Sequence, residues 1–76
     1  MNFHDIEGFL AVVRAVEAGE NLSDAADDLH LSQSALTRRV QHLENELGSK
    51  LFERHGRKLV LNSRGKAFLP HAQGMV

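Results

Sequence analysis

LSQSALTRRVQHLENELG, residues 31–48, carries two opposed faces on one helical period. Leu36, Val40, Leu43 and Leu47 fall at i, i+4, i+7 and i+11, a spacing that gathers them into a single apolar stripe. Half a turn away lie Ser34, Arg38, Gln41 and Asn45, with Thr37 on the flank nearer the start. Ser32 stands where a side-chain oxygen can accept from an unpaired first-turn N–H, and Gly48 follows the last stripe residue as a helix stop. The pattern predicts a helix over 33–47 with one face for burial and one for contact. Short polar groups and an arginine can hydrogen-bond base edges and phosphates in a major groove. An ordinary solvated face carries the same residue types, so this helix alone does not choose between the two.

The 76 residues around it allow one small domain with one core. With no cysteine, neither a disulfide framework nor a thiolate metal site can assist, and packing must stabilise the fold. No apolar run has the length of a membrane span, and the N-terminus lacks the basic-then-apolar order of a signal peptide. A soluble, cytoplasmic protein with no membrane partner is expected.

The formal net charge of −1 argues at first against a nucleic-acid partner, but its distribution argues the other way. Residues 1–30 hold seven acids (Asp5, Glu7, Glu17, Glu20, Asp24, Asp27, Asp28) against Arg14, a balance of −6. Residues 31–76 hold eight bases against Glu44, Glu46 and Glu53, a balance of +5. The split predicts a polarised surface with one basic side.

Upstream, Asn2 can cap a helix starting at Phe3, with Asp5 in its first turn. Ile6, Phe9, Leu10, Val12, Val13 and Val16 give it a wide apolar stripe, and Gly19 stops it. Asn21 caps a second helix reaching His30, with Asp24 as its box partner and Leu22, Ala25, Ala26 and Leu29 facing inward. Residues 30–32 leave room only for a tight corner. Two helices so joined, the second with a polar outer face, make a helix-turn-helix.

Downstream, Leu51, Phe52, Leu59 and Leu61 flank a basic stretch, Arg54-His55-Gly56-Arg57-Lys58. This predicts a two-stranded hairpin tipped by Gly56, its apolar residues on the helices and its basic tip in solvent. His55 is read as a wing-tip residue. Asn62 caps a last helix with Phe68, Ala72, Met75 and Val76 as an apolar stripe, and Pro70 should bend it. The stripe is still running at Val76, as in a longer protein cut within this helix. The expected fold is mainly α: a winged helix-turn-helix over 1–61 with a three-helix core and two-stranded wing, then from 62 to 76 the start of a C-terminal linker helix.

Ala25-Ala26, the run Leu29-His30-Leu31-Ser32-Gln33-Ser34-Ala35-Leu36-Thr37-Arg38, then Leu43-Glu44, Glu46-Leu47-Gly48, Leu51-Phe52-Glu53-Arg54 and Leu61-Asn62-Ser63-Arg64-Gly65 together resemble the N-terminal domain of LysR-type transcriptional regulators. The resemblance covers essentially the whole chain. It implies a sequence-specific, DNA-binding bacterial regulator that places its third helix in the major groove and its wing in the adjacent minor groove. It also implies a homodimer paired through the linker helix at Phe68, Ala72, Met75 and Val76, and a small-molecule effector bound only by a C-terminal domain absent here. Position by position, Gln33, Ser34, Thr37 and Arg38 match residues that meet bases and nearby phosphates, with Gln41 on the same face. Arg54, Arg57 and Lys58 match the basic wing, and Asn21 and Ser23 the backbone contacts of the second helix. Two departures stand out: Ser34 replaces the family's common proline, and Asp24, Asp27 and Asp28 lie where basic or neutral residues are frequent.

The near-neutral total charge favours an alternative, a winged-helix protein-protein interaction module that never meets DNA. Catalysis has no support in the sequence: no nucleophile set, paired carboxylates at a glycine-rich loop or phosphate loop appears. Histidines 4, 30, 42, 55 and 71 lack the i, i+4 pairing of a helical metal site, so neither metal nor cofactor is expected.

Overall fold

The computed structural model describes residues 1–75. Its elements run α1 (Phe3–Ala18), α2 (Leu22–Asp28), α3 (Gln33–Leu47), β1 (Phe52–His55), β2 (Lys58–Leu61) and α4 (Ser63–Gly74). Each helix starts where a short polar side chain takes up a first-turn N–H. Asn2 Oδ1 accepts from Asp5 N at 2.9 Å, Ser32 Oγ from Ala35 N at 3.1 Å and Asn62 Oδ1 from Gly65 N at 2.8 Å. Asn21 and Asp24 form a reciprocal capping box.

Three helices end in one way. After α1, α2 and α3 the chain turns through a left-handed residue, and the next N–H reaches back five positions: Glu20 to Ala15, Leu31 to Ala26 and Ser49 to Glu44. Gly19 and Gly48 hold two of these positions, whereas at the helix-turn-helix corner it is His30, at φ 56°. The second helix was expected to reach His30; this closure ends it at Asp28.

The core forms around α1. On one side Ala11, Val12 and Ala15 pack with Ala25, Ala26, Leu36 and Val40, and on the other Ile6, Phe9 and Val13 pack with Leu43, Leu51 and Ala72. Phe52 touches both groups. Alanines on α2 let it lie close to its neighbours. The α3 stripe is buried at Leu36, Val40 and Leu43 and half-buried at Leu47.

The hairpin pairs Phe52 with Leu61 and Arg54 with Leu59, placing these four on one face. Phe52, Leu59 and Leu61 pack on the helices, while residues 53–58 are exposed. Gly56 turns the strand at φ 66° and Arg57 stays at negative φ, the φ pattern of a two-residue hairpin loop with glycine first.

The last helix departs from expectation. Ala72 is fully buried in the chain's own core, and the Phe68 ring meets Phe9 edge-on with centroids 5.3 Å apart. Because α4 folds back along α1, Ala72 belongs to no uncovered stripe and Phe68 is half-buried. Met75 is exposed, and Val76 lies outside the described residues. The helix runs on through Pro70, itself exposed.

Candidate nucleic-acid interface

The outward face of α3 is one shallow concavity lined by Gln33, Ser34, Thr37, Arg38 and Gln41. Burying Leu36, Val40 and Leu43 forces Ser34, Arg38 and Gln41 outward, since they lie about half a turn from the stripe, with Thr37 on the flank and Gln33 in the exposed first turn. Ser34 Oγ lies 3.3 Å from the capping Ser32 Oγ, so the hydroxyl at this first-turn position joins the cap.

Gln33 also closes a second concavity, a cleft between the wing and the α1–α2 corner. Asn21 lines it from the N-cap of α2 and Ser23 from its first turn, and Arg54, Arg57 and Lys58 line it from the hairpin. Pairing across from Leu59 turns Arg54 toward the helices, and its Nη1 lies 3.4 Å from the Arg57 carbonyl oxygen, holding the wing tip. Every polar residue singled out from the sequence as a DNA contact therefore lies on one of two adjoining concavities that share Gln33. Glu20 and Asp24 line the same cleft, so carboxylates face three cations across it.

Away from this face, Arg39 Nη1 sits 3.8 Å from Glu7 Oε1 on α1, an ion-pairing residue as its position at the stripe's edge suggests. His55 Nε2 lies 3.4 Å from Glu53 Oε1 on the wing.

Two polar groups stand out only in the folded chain. Glu44 is buried, and its Oε2 accepts from Leu51 N at 2.7 Å. On the opposite flank of α3, His42 Nδ1 bonds the buried Asp5 carboxylate of α1, with Glu46 Oε1 at 3.6 Å. The hydrogen bond to Asp5 and its negative charge hold the His42 imidazole above its ordinary pKa, with Glu46 adding to the effect. Glu46 is held below its ordinary value by its hydrogen bond to the N-terminal ammonium. These three donor atoms lie within 4.8 Å of one another and are the group with metal-ligand character among the described residues. The i, i+4 spacing of His42 and Glu46 was visible in the sequence; the arrival of Asp5 from another helix was not.

Set beside known proteins, residues 3–66 match the model of the bacterial regulatory helix-turn-helix proteins of the lysR family. ShiR, an HTH-type transcriptional regulator of Corynebacterium glutamicum (strain R), is 43% identical over 76 residues, all of this chain and 24% of ShiR. CysB, an HTH-type transcriptional regulator of Thiocapsa roseopersicina, is 45% identical over 69 residues, 90% of this chain and 51% of CysB. The chain thus spans a quarter to a half of these relatives. Among solved structures, the CbnR_DBD-DNA complex superposes with a TM-score of 0.85 at 40% identity, covering 99% of this chain and 82% of that one. The BenM_DBD/catB site 1 DNA complex gives 0.85 at 33% identity, covering 99% and 76%. No helix among the described residues is long and apolar enough to cross a membrane. By its motifs, its winged helix-turn-helix fold and these likenesses, the chain belongs to the LysR family of bacterial helix-turn-helix regulatory proteins.

Proposed function

We propose that this domain is the DNA-reading part of a sequence-specific transcriptional regulator, with α3 in the major groove and wing residues 54–58 in the adjacent minor groove. The observation that carries this reading is the joining of the α3 face to the basic cleft through Gln33, which makes one surface of base-reading and phosphate-holding groups. Arg38 is the base reader, Gln33, Ser34, Thr37 and Gln41 flank it, and Arg54, Arg57, Lys58, Asn21 and Ser23 hold backbone. That similar solved domains are found in complex with DNA supports a DNA-binding reading. The domain acts in the cytoplasm and not as an enzyme. Two copies pair through α4, and any small-molecule effector acts through a further domain of the kind its longer relatives have room for.

Binding of Arg38→Ala and Arg57→Ala to selected and random duplexes tests this assignment. Arg38→Ala should lose about 1–3 kcal/mol at one base-pair position and relax preference there. Arg57→Ala should weaken all duplexes by similar factors, and log affinity should fall with log salt by about 0.9 per neutralised phosphate. Equal loss on specific and random DNA for Arg38→Ala would make that arginine a phosphate clamp instead.

A further inference from the structure

Glu44 lies on α3 but outside its reading face, at 8% exposure. A buried carboxylate is costly unless its oxygens are used, and here one is: Oε2 accepts from the Leu51 N–H at 2.7 Å, while Oε1 lies 3.8 Å from Lys50 Nζ. Leu51 is itself 1% exposed, and β1 begins at the next residue. The same two residues are held from the other side. Asn62 Nδ2 donates to the Lys50 carbonyl at 2.9 Å, and Asn62 N to the Leu51 carbonyl at 3.0 Å. The root of the wing is thus gripped between α3 and the N-cap of α4, and Glu44 is the side chain by which α3 grips it.

Resting on the reading of α3 and the wing given above, we propose that Glu44 is a positioning residue for DNA binding, fixing the wing's root to the recognition helix so that both engage one duplex. It touches no DNA itself. Without an acceptor at this position the Leu51 N–H is stranded in an apolar setting, and the 50–51 segment must shift to find water. The wing then loses its fixed distance from α3, while Arg38, on the opposite flank of the same helix, keeps its setting.

A double-mutant cycle on the full chain tests this, with a duplex selected by the wild type from a random pool as the probe. Glu44→Met keeps length and volume but cannot accept, and Glu44→Gln keeps a carbonyl acceptor. Glu44→Met should bind about tenfold more weakly. In its background Arg57→Ala should cost little more, while Arg38→Ala keeps its full effect on base preference; Glu44→Gln should recover most of the loss. Should Glu44→Met not fold, Glu44→Asp, which draws the acceptor back by one methylene, carries the same expectations. If Arg57→Ala costs as much with Glu44 replaced as in the wild type, Glu44 does not position the wing. If Arg57→Ala costs nothing even in the wild type, the wing reading itself falls and takes the role of Glu44 with it.

Discussion

At Gly65 a hydrogen is all that fits between α4 and the root of the wing. A Cβ there would stand 2.3 Å from the Leu51 carbonyl oxygen and 2.4 Å from Leu61 Cδ1, and the backbone oxygen cannot move away without disturbing the Asn62 bond. Gly65→Ala should therefore destabilise the fold by about 1–3 kcal/mol, the usual range for overpacking, as read from urea unfolding midpoints. Gly8 is the internal comparison. Its added Cβ would meet Arg39 Cβ at 3.2 Å, a contact that a small rotation of α1 relieves, so Gly8→Ala should lose clearly less. A loss at Gly65 no larger than that at Gly8 would mean that α4 is not seated this closely. His30 shows a different tolerance: it bears a left-handed backbone at a cost of roughly 1–2 kcal/mol that glycine at the other two helix ends avoids.

Between elements, the contact of α1 with α3 includes the Asp5–His42 pair, which makes part of the stability depend on pH. His42 is raised from 6.5 in the folded chain, so its contribution is fully present below 6.5, where both states carry the proton. It is lost as pH rises from there through the raised folded value. In thermal melts, the advantage of the wild type over His42→Gln should be largest below pH 6.5 and shrink steadily above it. Parallel melting curves across that range would remove the pair from the account. The same comparison of elements shows what the chain order reveals. Periodicity marked α1 and α3 because each buries one face against several partners, and the caps at Asn2, Asn21, Ser32 and Asn62 marked starts because capping is local. The polar outer face of α3 is legible for the same reason, being the remainder once the stripe is assigned. By contrast, the burial of Ala72 and the seating of one side of Phe68 on the core are not legible in the stripe, since they depend on the path of the chain after Gly65, a tertiary fact with no local signal. Asp5, His42 and Glu44 escaped likewise, since a polar residue is drawn inward only by a partner distant in sequence.

For the molecule as a whole, the burial of Ala72 and the half-burial of Phe68 in one copy narrow the surface by which two copies can pair. Met75, 52% exposed at the C-cap of α4, is the large hydrophobic side chain exposed at this end among the described residues. Pairing there would set two recognition helices on half-sites about one helical turn apart or a multiple of it. In sedimentation at rising concentration, Met75→Glu should weaken self-association of a version extended beyond Val76 without lowering its melting point, because the residue supports no core. Unchanged association would move the dimer surface elsewhere. The cleft beneath the wing has a kinetic meaning as well. On the function proposed above, Glu20 and Asp24 would face the path that Arg54, Arg57 and Lys58 offer to a phosphate chain and would repel every duplex alike, whatever its sequence. Base contacts from α3 would then supply a larger share of the total, and dwell times on unrelated DNA would shorten relative to those on the operator. A regulator built this way searches a genome by brief visits.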